Sequence, residues 1–235
     1  MKIIAVIPAR GGSKGIFRKN IKLLAGEPLI AYTIKEARKS KYLDKIIVTT
    51  DDPEIADISL KYGAEVPFMR PKQLAEDNTP DLPVFQHALA WLKEHWSYIP
   101  DIIVHLRPTS PLRTVKHIDS GIELILKDKN ADSVRSVCEP SQSPYKMWKI
   151  KEGYLVPIVN SSEEGVELYS TPRQSLPKVY WQTASVDIIR YNTIMGMNSM
   201  AGKRILPFLI EEKYSLDVDT ELDFLVAETV LKNKE

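Results

Sequence analysis

The chain has 235 residues, is 43% hydrophobic, and carries a formal net charge of +1 from 32 Lys+Arg against 31 Asp+Glu. That length and apolar content can bury a core and suit one α/β domain or one domain with a small appendage, and the near-balance of charge argues against a broad nucleic-acid or membrane-surface binder. A single cysteine, Cys138, excludes an intramolecular disulfide and a cysteine-based zinc site, no run approaches the ~20 apolar residues of a membrane helix, and "MKIIAVIPAR" lacks a cleavable leader pattern, so a cytoplasmic protein is expected.

In chain order, "KIIAVIPA" (2–9) predicts a strand, "PLIAYTIKEARKSK" (28–41) a helix and "KIIVTT" (45–50) a strand. "PEIADISLKYG" (53–63) predicts a helix with Pro in its first turn and Gly63 at its end. The helix 82–96, strand 101–108, helix 115–127 and strand 131–138 follow. Strands separated by helices imply βαβ crossovers, hence a doubly wound α/β core with a mainly parallel sheet covered by helices on both faces. From Met147 the rhythm loosens, and 160–177 is polar and rich in turn formers. We read 147–190 as an insertion within a single domain, 1–235, because 178–191 and 204–211 again predict strands and 220–234 a closing amphipathic helix.

The first strand runs directly into "IPARGGSKGIFRKN" (7–20). A glycine-rich turn after the first strand of a parallel sheet lies at the carboxyl edge, where such folds bind ligands. Gly11, Gly12 and Gly15 let the backbone curl and present N–H groups, while Arg10, Lys14, Arg18 and Lys19 supply charge for phosphate oxygens. The order differs from both the Walker loop and the dinucleotide fingerprint, and the plainer reading is a solvated basic turn. Further on, "SLDVDTELDF" (215–224) places Asp217 and Asp219 on one side of a short strand end by alternation. Paired carboxylates that close call for a cation such as Mg²⁺, although Asp219 or Thr220 could equally cap the last helix.

"IPARGGSKGIFRKN" closely resembles the N-terminal signature of the CMP-sialic acid synthetases, the acylneuraminate cytidylyltransferases, and of relatives that activate other acidic keto-sugars. "RPKQLAEDNTPDL" (70–82), "LRPTSPLRT" (106–114), "TPRQSLP" (171–177) and "SLDVDTELDF" resemble the family's later motifs in the same order, so the likeness spans essentially the whole chain. It implies a Rossmann-like nucleotidyltransferase fold and transfer of CMP from CTP to the anomeric hydroxyl of a nonulosonic or ulosonic acid, with release of pyrophosphate. By the same resemblance Arg10, Lys14 and Lys19 contact the triphosphate, Gly12, Ser13 and Asn20 shape the loop and nucleotide pocket, and Arg70, Asp77 and Asp81 help define the base site. Thr109, Ser110 and Arg107 of the third motif face the same crevice, with Arg107 taking the acceptor carboxylate or a phosphate; Arg113 is a further cation nearby. Lys146, Arg173 and Gln174 match acceptor-side or site-closing positions, Asp217 and Asp219 hold Mg²⁺, and the inserted region, with apolar Trp148, Tyr154 and Leu155, pairs two subunits as a homodimer.

Departures from the family pattern concentrate in the acceptor region. Many relatives carry Gln at position 107, and at "WQTASVDII" (181–189) the usual Asn-Gly-Ala/Ser-aliphatic-Tyr pattern gives way to Thr183, Ala184, Ser185, Val186 and Asp187. Asp187 in place of an aromatic predicts a pocket that favours a hydroxyl or amino group over an N-acyl patch, unless its carboxylate is spent on a salt bridge. Phe17 stands where Pro is common. The rival readings are a 3-deoxy-manno-octulosonate cytidylyltransferase or other sugar nucleotidyltransferase, and a non-catalytic nucleotide-sugar binder.

Overall fold

The computed structural model describes residues 1–160 and 165–233. Positions 161–164 of the expected polar segment and position 234 of the expected last helix lie outside the described residues. In chain order the elements are β1 (Ile3–Pro8), β2 (Leu23–Leu24), β3 (Glu27–Pro28), α1 (Leu29–Arg38), β4 (Lys45–Thr49), α2 (Pro53–Lys61), α3 (Asp81–Trp96), β5 (Ile102–His105), α4 (Val115–Lys127), β6 (Ser133–Cys138), β7 (Trp148–Lys151), β8 (Tyr154–Pro157), β9 (Trp181–Arg190), α5 (Tyr191–Met195), β10 (Ile205–Leu209) and α6 (Glu221–Lys232).

Six strands form one sheet in the order β10-β6-β9-β5-β1-β4. β1 pairs in parallel with β4 and β5, and β10 in parallel with β6, while β9 runs antiparallel to β5 with His105 opposite Asp187. The sheet is therefore mostly parallel, as the βαβ rhythm requires. The continuous aliphatic run of β1 has a simple cause. Alternate residues of a strand face opposite sides, and both sides of this sheet are covered. Ile3, Ala5 and Ile7 pack with Ile30 and Ile34 of α1, Ile55 of α2 and Ile118 and Ile122 of α4, whereas Ile4 and Val6 pack with Phe85, Leu89 and Leu92 of α3. Each such aliphatic side chain contributes about 1.5–3 kcal/mol on burial.

Local signals fix the helix starts. The Asp52 carboxylate accepts from the backbone N–H of Glu54 and Ile55 with Pro53 in the first turn of α2, and Thr220 opens α6 in a reciprocal capping box with Asp223. Thr220, not Asp219, is thus the cap of the last helix. That leaves the Asp219 carboxylate available to other partners.

Residues 1–137 and 182–235 make one compact unit and 138–181 a second. Residues 182–190, read from the sequence as part of the insertion, lie in β9 of the central sheet, where Val186, Ile188 and Ile189 are buried. Within the second unit, β7 and β8 form an antiparallel hairpin and Trp148 packs its ring on Tyr169 at 4.5 Å. No helix among the described residues is long and apolar enough to cross a membrane.

Candidate active site

Four segments meet at the carboxyl ends of β1, β4 and β5. They are the glycine-rich loop after β1, the stretch 70–81 leading into α3, the turn after β5, and residues 216–219 before α6. Between them lies a crevice of about 360 Å³, bordered by Arg10, Ser13, Lys14, Lys19 and Asn20 from the first, Arg70, Asp77 and Asp81 from the second, Arg107 and Thr109 from the third, and Asp219 from the fourth. Its size is that of a small-molecule site.

The loop is pinned at both ends and plugged in the middle. Gly11 donates its N–H to Asp51 Oδ1 at 3.0 Å, and Asn20 donates to the carbonyl of Arg10 at 2.9 Å. Between them Ile16, embedded in the cationic run, is 1% exposed and packs with Leu24, Val218, Phe224 and Ala227. The glycines serve close approach as much as curvature. A Cβ on Gly15 would stand 2.4 Å from the carbonyl oxygen of Asp219, whereas one on Gly12 meets nothing within 4 Å. Gly15→Ala is therefore expected to force the loop and the 216–219 segment apart, lowering stability by roughly 1–3 kcal/mol, while Gly12→Ala leaves the melting temperature unchanged; thermal unfolding of the two variants checks this.

Three of the four loop cations reach the crevice, and each meets a carboxylate there. Arg10 Nη1 and Lys14 Nζ share Asp77, at 2.7 and 2.6 Å. The bond from Lys14, with that from Arg10, holds the Asp77 carboxyl below its ordinary range. Lys19 Nζ donates to Asp219 Oδ1 and to the carbonyl of Val218, both at 2.8 Å, and the Val218 N–H donates to the carbonyl of Thr109 at 2.8 Å. Arg18, held at a left-handed φ of 50°, turns instead to Asp52 and Glu54.

Asp217 and Asp219 flank the fully buried Val218, but residues 215–219 form no strand, and of the two only Asp219 borders the crevice. Asp219 is exposed. Asp217 is partly buried, and its Oδ1 has no hydrogen-bond partner. Burial pushes the Asp217 carboxyl up and the Asp219 charge adds to this, while a hydrogen bond with Thr109 works the other way. An orphaned buried carboxylate oxygen beside a second carboxylate is a donor set that suits a hard cation. Among the described residues there is no cluster of three or more His, Cys, Asp and Glu side chains with metal-binding geometry. A cation held by these two carboxylates would complete its shell with water or ligand oxygens.

Two cations read from the sequence as ligand-side candidates are buried and bonded to main-chain carbonyls. Arg70 is buried at 6% exposure, donates through Nε to Thr49 Oγ1 at 3.1 Å and through Nη2 to the Thr49 carbonyl, and has its pKa lowered to about 10 by burial. It is no surface ion pair; it ties the 70–81 stretch to β4 and borders the crevice. Arg113 is also buried, and its guanidinium donates to the Ser185 and Arg107 carbonyls and to Thr33 Oγ1. Burial brings its pKa down to about 9. Ser110 is buried beneath the turn that borders the crevice. The Thr183 hydroxyl donates to Ser136 of β6, so it belongs to the sheet, and it does not border the crevice.

Asp187 does not border the crevice. It is 1% exposed, accepts from Arg107 Nη1 through Oδ2 at 3.2 Å, and burial pushes its carboxyl up against the opposing charge of Arg107. Arg107 Nη2 donates to Asp81 Oδ2 at 3.1 Å. His105, two residues earlier on β5, is buried against Phe85 with neither ring nitrogen hydrogen-bonded, and burial holds it well below its ordinary pKa. The pairing across β5 and β9 was invisible to sequence reasoning, as was the role of Ile16. Asp52 could have been found from the Asp-Pro step that opens α2.

In the second unit Lys146 donates to the carbonyl of Tyr169, and Arg173 to the carbonyls of Pro140 and Ser141. Arg173 and Gln174 border a hollow with Glu139, Ser143 and Lys178.

The sequence profile of the family described as Cytidylyltransferase matches residues 4–171. The CMP-N,N'-diacetyllegionaminic acid synthase of Campylobacter jejuni is 34% identical over 99% of this chain and 96% of its own. The N-acylneuraminate cytidylyltransferase of Escherichia coli is 32% identical over 99% of this chain and 53% of its own. Among solved structures, CMP:2-keto-3-deoxy-manno-octonic acid synthetase complexed with CTP superposes over 100% of both chains with a TM-score of 0.74 at 14% identity, a likeness of fold.

Proposed function

Because this chain belongs to the cytidylyltransferase family, we propose that it transfers CMP from CTP to the anomeric hydroxyl of a sialic-acid-like nonulosonic acid and releases pyrophosphate. The observation that carries the reading is the cationic glycine-rich loop at the carboxyl edge of the sheet, whose Arg10, Lys14 and Lys19 all end in one crevice. Relatives named for legionaminic and acylneuraminic acids support the acceptor class.

The reaction joins the acceptor's anomeric oxygen to the α-phosphorus, breaks the bond from that phosphorus to the oxygen bridging the β-phosphate, and frees the hydroxyl proton. No covalent enzyme intermediate is required, so the chain's work is to hold, orient and neutralise. Arg10 and Lys14 exchange Asp77 for triphosphate oxygens. Lys19, 13% exposed and already fixed at the base of the loop, meets the charge that develops on the departing pyrophosphate. Loop N–H groups around Gly12 and Ser13 line the phosphate path, and Asn20 holds the loop's curvature. Asp217 and Asp219 are the residues that would hold Mg²⁺, which when bound supplies further neutralisation of the phosphates.

The balanced charge supports small anionic substrates over nucleic acid, and a cytoplasmic setting that supplies CTP fits the reading. A homodimer fits the second unit, where Ile150, Tyr154 and Leu155 of the hairpin are 79%, 77% and 63% exposed. A hairpin of this size buries too little on its own, and its apolar face suits a second subunit. Light scattering at micromolar concentration should give twice the chain mass; the mass of one chain throughout that range contradicts the pairing.

The activity itself is tested by pyrophosphate release from CTP, UTP, ATP and GTP against a panel of nonulosonic and ulosonic acids. CTP with a nonulosonic acid should be fastest. Preference for 3-deoxy-manno-octulosonate selects the alternative cytidylyltransferase reading, and binding without turnover in every pair selects the non-catalytic one.

A further inference from the structure

Arg107, two residues beyond the end of β5, and Asp187, within β9, lie 80 residues apart in the chain and meet, and the inference that follows rests on the activity proposed above. The two carboxylates on the Arg107 fork are unlike. Asp187, on Nη1, comes from inside the sheet: its side chain is 2% exposed and does not border the crevice. Asp81, on Nη2, stands at the crevice wall with its side chain 42% exposed. The guanidinium between them is 26% exposed and borders the crevice. A buried carboxylate on one nitrogen orients the fork and cannot leave without stranding a charge. An exposed carboxylate on the other pairs weakly and exchanges readily.

We propose that Arg107 is the acceptor-specificity residue of this site, that Asp187 is its positioning residue, and that Asp81 is a displaceable counter-ion whose place on Nη2 is taken by the carboxylate of the acidic sugar. The site already receives a carboxylate at that nitrogen, at 3.1 Å. The triphosphate has its own cations on the glycine-rich loop, where Arg10 and Lys14 are held by Asp77 and Lys19 by Asp219. Arg107 instead has its own pair of acids, Asp81 and Asp187. Its carbonyl is gripped by the buried Arg113, so the backbone at the end of β5 is fixed as well as the side chain. Selection follows from chemistry: a sugar lacking the carboxylate cannot displace Asp81 and gains nothing at the fork.

The arrangement predicts opposite signs for two near-isosteric changes. Asp187→Asn releases the fork and should raise the acceptor KM ten-fold or more, with the CTP KM within two-fold of wild type. Asp81→Asn weakens the competitor and should lower the acceptor KM several-fold. Arg107→Gln should lose the preference for acidic over carboxyl-reduced acceptor, and adding Asp187→Asn to it should cost little more, because the residue being positioned is already gone. Steady-state kinetics in both substrates, with melting temperatures for each variant, read these outcomes. A rise in CTP KM in place of the acceptor's overturns the proposal in favour of a phosphate at Arg107. Equal rises for Asp187→Asn and Asp81→Asn overturn the displaceable counter-ion. Should Asp187→Asn fail to fold, the sign at Asp81 and the carboxyl preference of Arg107→Gln still decide. Wild-type protein inactive with CTP and every acidic sugar overturns the proposed function itself, which leaves active wild type with unchanged variants as the failure of this inference alone.

Discussion

Lys19→Ala is expected to lower kcat by about a hundred- to a thousand-fold, measured as pyrophosphate release at saturating CTP and acceptor. Removing one preorganised donor from a water-poor site where charge develops typically has an effect of that order. Lys19 is placed for that role: its stem is covered, its ammonium is fixed by the Val218 carbonyl and Asp219, and it borders the crevice. Arg18→Ala is the control, because that guanidinium turns to Asp52 and Glu54 at the outside of the loop. It should change kcat only a few-fold. Equal losses in the two variants would mean that charge near the loop matters and its position does not, and the cradle described here would have to be redrawn.

Asp217→Asn and Asp219→Asn should each remove most Mg²⁺-dependent turnover while leaving the thermal transition nearly unchanged. Each swap preserves shape and removes one ligand charge, and a two-carboxylate site has no surplus ligand to lose. The two differ in what else they touch. Asp217 carries an unpartnered buried oxygen, so neutralising it also relieves a burial penalty, and its variant should melt no lower than wild type. Asp219→Asn also weakens the tie to Lys19 and should melt slightly lower. A double variant that keeps full Mg²⁺-dependent turnover would remove the metal assignment.

The alternation of β-branched runs with helical periods made the sheet legible, because strands covered on both faces must be apolar at every position and helices at only some. β9 was legible as a strand, expected at 178–191 and found at Trp181–Arg190; its antiparallel pairing with β5 was not. Charge told its place but not its partner. Arg70 was expected beside the base and Arg113 near the acidic sugar; that both also bond main-chain carbonyls depends on the fold and could not be read from charge. The same limit hid Asp187: the expectation of a pocket acid and the plainer one of a salt bridge were both open, and only the pairing of β5 with β9 brings Arg107 to it. Alternation at Asp217 and Asp219 presupposed a strand that does not form; what holds the stretch is the burial of Val218 between them and its tie to Thr109.

All six strands of the sheet are complete by Leu209, yet the loop after β1 finds its floor only in Val218, Phe224 and Ala227, and its lysine finds Asp219 across 200 positions of sequence. During synthesis the architecture can therefore close around its aliphatic core while the ribosome still holds the stretch that props the loop. Until that stretch emerges Ile16 has no seat and Lys19 no anchor, so the nascent chain can be a folded sheet and not yet a triphosphate receptor. The same separation makes the last helix the natural place for a change that silences the protein without unfolding it.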